Sequence, residues 1–170
     1  MNPDDIDVWI IDSSALIETK SIVSVTKQWE AFKDLEQMVR NGQIAMPRQV
    51  IKEMSEIAHP DLPGAWAPGV RGSLQHPLDA DHSHVKDVLS TAGDVVDVNK
   101  AGEDADPYVL ALAQQLKSDG YAVCIVTEDT IDRIRTSIAT ACRRLNIDYC
   151  RIRDFLEQYG IPLLKETSDS

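Results

Sequence analysis

The stretch VWIIDSSALI, residues 8–17, runs through four apolar residues and then meets an aspartate. An apolar run of this length without polar alternation is typical of a strand covered on both faces, as in a parallel sheet. An aspartate at the end of such a strand is either the N-cap of the next helix or a ligand of a site. Asp12 alone leaves both interpretations open.

Three further apolar runs predict strands. Residues 43–47 and 121–126 follow Asn-Gly and Asp-Gly turn signals, and residues 147–152 form a weaker run. Apolar residues at helical spacing fill the intervals and predict helices over 26–40, 48–58, 82–92, 107–118 and 131–145. This alternation predicts right-handed crossovers and an α/β fold, a three-layer α/β/α sandwich with a central, mostly parallel sheet.

The length of 170 residues predicts one domain, which we assign to residues 1–163. Residues 59–80 contain four prolines, three glycines and Trp66, and they predict an irregular insertion within that domain. Residues 164–170 predict a disordered tail.

The composition favours a cytoplasmic protein. No stretch approaches the roughly 18 uninterrupted apolar residues of a membrane helix. The first residues, MNPDDIDVWI, are acidic, whereas a secretory signal begins with basic residues. The three cysteines form no CxxC pair, which indicates reduced thiols that serve as small buried apolar groups.

The charge is strongly acidic, at −11 with a pI near 4.7. A protein that binds nucleic acid mainly by neutralising phosphates is expected to be basic, so such a function here needs a local patch or a metal ion. Residues 131–153 provide one basic segment, with six arginines against two aspartates. This segment is either a solvated helix face or a surface for phosphate or a partner.

Four acids fall where the carboxyl ends of the predicted strands meet, which is the place where open parallel sheets bind ligands. They are Asp12, Glu53, Asp106 and Asp129. Each also has a purely structural interpretation, because the three aspartates could cap helices and Glu53 could be an ordinary surface residue. Only their joint placement indicates a site.

Convergence of four carboxylates has an electrostatic cost. Two carboxylates about 4 Å apart repel by roughly 4 kcal/mol at an effective dielectric near 20. A divalent cation removes this repulsion, and ligands that are all oxygen indicate Mg²⁺ or Mn²⁺ rather than zinc.

Four segments resemble the motifs of PIN-domain nucleases. These are IIDSSALI, MPRQVIKEMSEI, EDADPYVLALA and CIVTEDT, and their order and spacing agree with that family across residues 8–153. The resemblance implies a PIN-like fold and Mg²⁺- or Mn²⁺-dependent endoribonuclease cleavage of RNA phosphodiester bonds. Many small members are VapC-type toxins of toxin–antitoxin pairs, although this chain is longer, chiefly through residues 59–97.

Carried over motif by motif, the resemblance makes four acids both catalytic and metal-binding: Asp12, Glu53, Asp106 and Asp129. It implies that Ser14 orients Asp12 or a phosphate oxygen and that Thr127 supports the fourth position. The register stays open in two motifs, where the candidates are Glu103, Asp104 and Asp106 in the third and Glu128, Asp129 and Asp132 in the fourth.

Three basic residues near these motifs are candidate phosphate contacts: Arg48, Lys52 and Arg71. The expected partners are an RNA substrate, a basic antitoxin protein and a second copy of the chain in a homodimer, with no membrane.

Three alternatives remain. A haloacid-dehalogenase-like phosphatase needs a second aspartate two residues after the first, where this chain has Ser14. A response-regulator receiver needs an acidic pair near the first strand and a late lysine, and residues 131–153 contain no lysine. A PIN-like protein-binding module without catalytic activity also suits the acidic surface.

Overall fold

Four parallel strands form the centre of the protein. The structure is a computed structural model that describes residues 2–56, 61–96 and 104–165. The strands are β1 (Val8–Ile11), β2 (Ile44–Ala45), β3 (Val123–Val126) and β4 (Asp148–Cys150), in the order β2-β1-β3-β4. All three pairings are parallel, which confirms the predicted sheet.

Eight α-helices within the described residues cover the sheet. They are α1 (Ser13–Ile22), α2 (Val25–Arg40), α3 (Arg48–Ser55), α4 (Leu62–Val70), α5 (His82–Ala92), α6 (Asp106–Ser118), α7 (Ile138–Leu145) and α8 (Ile152–Gln158). Helices α1–α4 and α8 contact one another, and α5, α6 and α7 contact one another. The molecule therefore has the predicted three-layer α/β/α architecture.

The register of the two central strands brings residues from distant parts of the chain together. Ile11 of β1 lies opposite Val126 of β3, and the backbone N–H of Asp12 donates to the carbonyl of Val126 at 3.1 Å. Asp12 and Thr127 therefore leave the sheet side by side at its carboxyl edge. The next strand continues this edge, because the N–H of Thr127 donates to the carbonyl of Cys150 at 3.0 Å.

Trp9 anchors one face of the sheet. Its ring lies 5.1 Å from Phe155 and 6.2 Å from Tyr159, and its Nε1–H donates to the Tyr159 hydroxyl at 2.8 Å. These contacts hold α8, a helix that the sequence patterns did not predict, against β1. The three cysteines are free and buried, as predicted.

The prediction of an irregular insertion over residues 59–80 is wrong for the part that forms α4. Asp61 caps this helix, because its side chain accepts a backbone hydrogen bond of 3.0 Å from the first turn. Pro63 lies in that first turn, where a missing N–H is tolerated. Trp66 is buried and packs on Phe32 with ring centroids 5.3 Å apart, so it anchors the segment to α2.

The helix predicted over 131–145 begins only at Ile138. Residues 128–137 form an irregular segment, the 128–137 loop. Two of its side chains, Asp129 and Asp132, accept hydrogen bonds from backbone N–H groups at the start of α7. Asp132 accepts from the N–H of Ser137 at 2.8 Å, and Ile131 and Ile134 are exposed instead of joining the apolar stripe of α7.

Leu164 donates a backbone hydrogen bond to Ile22 at 2.8 Å, so the chain is held to the domain one residue beyond the predicted boundary at 163. The remainder of the predicted tail, from residue 166, lies outside the described residues. No helix in the described ranges has both the length and the apolar character needed to cross a bilayer.

Candidate functional site

Asp12 lies at the carboxyl end of β1 with only 5% of its surface exposed. Its Oδ1 accepts from the Ser14 N–H at 2.7 Å, and its Oδ2 accepts from the Ser14 hydroxyl at 3.0 Å and the Thr127 hydroxyl at 2.5 Å. Burial raises the pKa of Asp12 against these hydrogen bonds, which lower it, and the charge of Asp129 raises it further. Asp12 is therefore both the N-cap of α1 and a buried acid at the carboxyl edge of the sheet, where open parallel sheets generally bind ligands.

The two hydroxyls that hold Asp12 also fix the start of the 128–137 loop. The Thr127 hydroxyl accepts from the Asp129 N–H at 3.0 Å, and the Ser14 hydroxyl accepts from the Glu128 N–H at 3.0 Å. Each hydroxyl thus donates a hydrogen bond to the Asp12 carboxylate and accepts one from a backbone N–H of the loop. Ser14 therefore contacts Asp12, and Thr127 contacts both Asp12 and the backbone of Asp129 at the fourth position.

Asp106 is the first residue of α6, and it does not cap that helix. Ala105 occupies the N-cap position, and the N–H of Asp106 donates to Asp104 Oδ1 at 3.1 Å. Burial raises the pKa of Asp106 to about 8; the charges of Asp12, Asp104 and Asp129 add to this effect, and Arg135 opposes it. The charge of Asp12, which is far away in the sequence, therefore raises the pKa of Asp106.

Arg135 bridges two of the acids. Its Nη2 lies 2.9 Å from Asp106 Oδ2, and its Nη1 lies 2.9 Å from Asp129 Oδ2. Nη1 also donates to the carbonyl of Thr136 at 3.1 Å. The pKa of Arg135 is raised because the attraction of these carboxylates outweighs its burial.

Asp129 connects the acids to α7. Its Oδ2 accepts from the N–H of Ile138 at 2.9 Å in addition to the guanidinium of Arg135. The side chain is 22% exposed, so it is the more open of the two acids that Arg135 bridges. Asp129 thus fixes the helix start and faces the cluster at the same time.

The other two acids of the fourth motif, Glu128 and Asp132, form hydrogen bonds that stabilise the local structure. Glu128 accepts from Arg151 at 2.7 and 2.9 Å and from the N–H of Ile152 at 3.0 Å, which caps α8. Asp132 closes the 128–137 loop onto Ser137, as described above. In the third motif Asp104 is buried beside Asp106, and Glu103 lies outside the described residues.

Glu53 reaches the same edge from α3. Its Oε1 accepts from the Ser13 hydroxyl at 2.9 Å, and Ser13 directly follows Asp12. The structure therefore brings Asp12, Asp106 and Asp129 into one electrostatic cluster, with Glu53 attached through a serine.

The predicted phosphate contacts lie on the exposed surface. Arg48 pairs with Asp79 at 2.7 Å, and Lys52 and Arg71 are exposed. A pocket of about 500 Å³ beside the acids is instead lined by Arg133 and Arg135, together with Ser14, Glu128, Asp129, Thr130, Ile131 and Ile134. We did not predict Arg135, although the basic excess of residues 131–153 was a signal.

That basic segment does not form one surface. Arg144 pairs with Asp94 at 2.7 Å, Arg151 pairs with Glu128, and Arg143 donates to the Tyr149 hydroxyl at 2.7 Å. These three arginines thus have separate partners in the fold, whereas Arg135 contacts the acid cluster.

The donor set fits Mg²⁺ or Mn²⁺ in its chemistry, because it consists of carboxylates carrying more negative charge than one arginine can balance. Asp106 Oδ2 is buried and has no hydrogen bond among the described residues, although it contacts Arg135. Within those residues, however, no three acid, histidine or cysteine side chains are arranged as a ready metal site. Since Arg135 lies between Asp106 and Asp129, a cation held by both acids requires that side chain to move.

The comparison with protein families identifies a family for most of the chain. A domain described as a domain of unknown function, DUF4411, matches residues 9–163. Among curated proteins, none matches the chain.

Proposed function

This chain belongs to the DUF4411 family, and from its site we propose that it is a divalent-metal-dependent ribonuclease that hydrolyses RNA phosphodiester bonds. The observation that carries this proposal is the set of contacts at the carboxyl edge of the central strands: Arg135 bridges Asp106 and Asp129, and the Thr127 hydroxyl joins Asp12 to the backbone of Asp129. The resemblance of four segments to PIN-domain nucleases supports the same activity. We propose a cytoplasmic protein, and a basic antitoxin or a second copy of the chain as its partner.

Asp12, Asp106 and Asp129 would hold Mg²⁺ or Mn²⁺, with Glu53 beside them. When bound, such an ion lowers the pKa of a coordinated water and stabilises charge on the leaving oxygen. No covalent nucleophile from the protein is needed.

The residues of the chain itself orient the acids and hold protons. Ser14 and Thr127 fix both oxygens of Asp12 through neutral hydroxyl and amide donors, so the carboxylate keeps its full negative charge when it is ionised. Asp106, with its pKa near 8, retains a proton near neutral pH that it can release when positive charge arrives. The exposed Arg48, Lys52 and Arg71 are proposed to contact phosphates along the RNA.

Asp12→Asn tests the proposal. We expect Mn²⁺-dependent cleavage of single-stranded RNA to fall by more than about 100-fold, because loss of an outer-shell group alone costs about 10–100-fold. Asparagine keeps the Oδ1 acceptor of the N-cap, so circular dichroism should show an unchanged fold.

Asp61→Asn is the matched control, because it makes the same change at the N-cap of α4. It should leave cleavage unchanged. Cleavage by Asp12→Asn at the wild-type rate would refute the assignment of the site.

A PIN-like protein-binding module without catalytic activity is the second candidate. The ion pairs of Arg135 with Asp106 and Asp129 favour it, since they partly neutralise the acids without a metal ion. The net charge of −11 also suits a basic protein partner. The two candidates differ in their response to divalent cations, which a thermal measurement separates.

A further inference from the structure

We propose that Arg135 is the resident counterion of the acid cluster and that a divalent cation binds there by displacing its guanidinium. This inference rests on the proposed function and specifies how the same site is controlled. Binding of the ion and movement of Arg135 are then one event, and Arg135 sets the affinity of the site for the ion.

Arg135 places positive charge between Asp106 and Asp129, where a bound cation would lie. Its two terminal nitrogens contact one oxygen each of Asp106 and Asp129, both at 2.9 Å. The Asp106 oxygen is buried and has no hydrogen bond within the described part of the chain, so Arg135 supplies its contact with positive charge. A metal ion needs this same oxygen.

The balance of charge favours exchange. Three further acids, Asp12, Asp104 and Asp129, act on Asp106 within this cluster, whereas Arg135 contributes one positive charge. Asp12 is already held by neutral donors. The guanidinium of Arg135 forms ion pairs with Asp106 and Asp129, and it also donates to the carbonyl of Thr136 at 3.1 Å. An ion of charge +2 neutralises more of this cluster than an arginine can.

The position of Arg135 permits its release. It lies in the irregular 128–137 loop, outside any helix or strand, and its side chain is 27% exposed. It also lines the pocket of about 500 Å³ beside the acids, which gives the guanidinium open space to enter. Release therefore requires rotation of a side chain and no rearrangement of the sheet.

Mn²⁺ binding to purified protein, measured by titration with electron paramagnetic resonance, tests the inference. We expect Arg135→Gln to bind Mn²⁺ about tenfold more tightly than wild type, a change equivalent to about 1.4 kcal/mol. Arg133→Gln is the matched control, since it removes the same charge from the same loop and lines the same pocket. Its affinity should stay close to that of wild type.

A second measurement uses the wild-type protein and does not depend on a variant that folds. In arginine side-chain NMR, the Nη protons of Arg135 should show restricted rotation without metal, and titration with Mg²⁺ should remove that restriction. Arg135→Lys identifies the signal. An unchanged Arg135 signal when Mg²⁺ is bound overturns the inference.

The outcomes separate this inference from the proposed function. Equal Mn²⁺ affinity in wild type and Arg135→Gln, with RNA cleavage intact, rejects the inference alone. An equal gain in affinity in Arg133→Gln also rejects it, because the gain would then come from removing any positive charge near the site and not from the contacts of Arg135. If neither wild type nor Arg135→Gln binds Mn²⁺, the inference and the proposed function fail together.

Discussion

At Asp106, burial and the neighbouring negative charges both raise the pKa of the carboxyl group. Its side chain is 13% exposed, and its nearest cation, Arg135, is shared with Asp129. The pKa near 8 means that the folded protein keeps a proton that the unfolded chain, with a pKa near 3.8, has released. The stability of the metal-free protein must therefore depend on pH.

The sign of this dependence follows from linkage. Between about pH 4 and pH 8 the folded state binds the extra proton, so the free energy of unfolding falls as the pH rises, by up to about 1.4 kcal/mol per unit. The contribution is complete below the unfolded pKa and lost above pH 8. Asp106→Asn lacks this group and should show a flatter profile in urea unfolding at pH 5, 6, 7 and 8 with EDTA.

The comparison uses only the slope of the free energy of unfolding against pH. Asp106→Asn also loses the ion pair with Arg135, which shifts its free energy of unfolding by a constant amount at every pH. Glu36→Gln on α2 is a suitable control, since it removes an exposed acid that pairs with Arg40. Parallel profiles for wild type and Asp106→Asn would show that Asp106 titrates normally.

Single residues of the site differed in how far the sequence could predict them. Asp12 and Thr127 follow directly from the ends of apolar strands, so their proximity required only the assumption of a parallel sheet. Arg135 could not be found in this way, because apolar spacing predicted a helix through it. Its orientation depends on the hydrogen bonds of Asp129 and Asp132 to the start of α7, which no periodicity reveals.

Helix α4 is held in the fold by Trp66. The ring is 8% exposed and packs on Phe32, so it links α4 to α2. Trp66→Ala should lower the free energy of unfolding by about 3–5 kcal/mol, the usual cost of removing a buried tryptophan side chain. Chemical denaturation measures this change.

Trp66→Phe is the control for that prediction. It keeps most of the ring contact and removes an Nε1 that has no hydrogen bond among the described residues, so it should cost clearly less. RNA binding should be unchanged in Trp66→Phe.

The elements that sequence patterns missed are the ones whose signals are short or mixed. Helix α4 carries Pro63 and Pro68, which normally indicate a loop. Helix α8 has only seven residues, and its apolar positions serve to cover Trp9. In contrast, α2 and α6 have regular apolar spacing and were predicted to within one residue at each end.

The strand order β2-β1-β3-β4 determines which residues lie together at the site. The sequence predicted parallel strands, but the neighbours of each strand depend on how the helices pack, which is a property of the complete fold. Because β1 and β3 are adjacent, Asp12 and Asp129 follow neighbouring strands at the carboxyl edge of the sheet.

This arrangement makes the global stability respond to metal ions. Mn²⁺ at about 100 times its Kd should stabilise the wild type by about 2.7 kcal/mol, since the unfolded chain lacks the site. For a domain of this size that corresponds to an increase in Tm of about 5–10 °C. Thermal unfolding with Mn²⁺ and with EDTA measures the difference, and Asp12→Asn should show a smaller one. A flat response in wild type favours the protein-binding module.

The hydrogen bond between Thr127 and Asp12 joins positions 115 residues apart. During translation β1 leaves the ribosome long before β3 has been made, so the nascent chain carries Asp12 without the groups that orient it. On the proposed function, cleavage cannot begin until synthesis has passed the 128–137 loop. An enzyme that cuts RNA would therefore be inactive while most of its own messenger RNA is being translated.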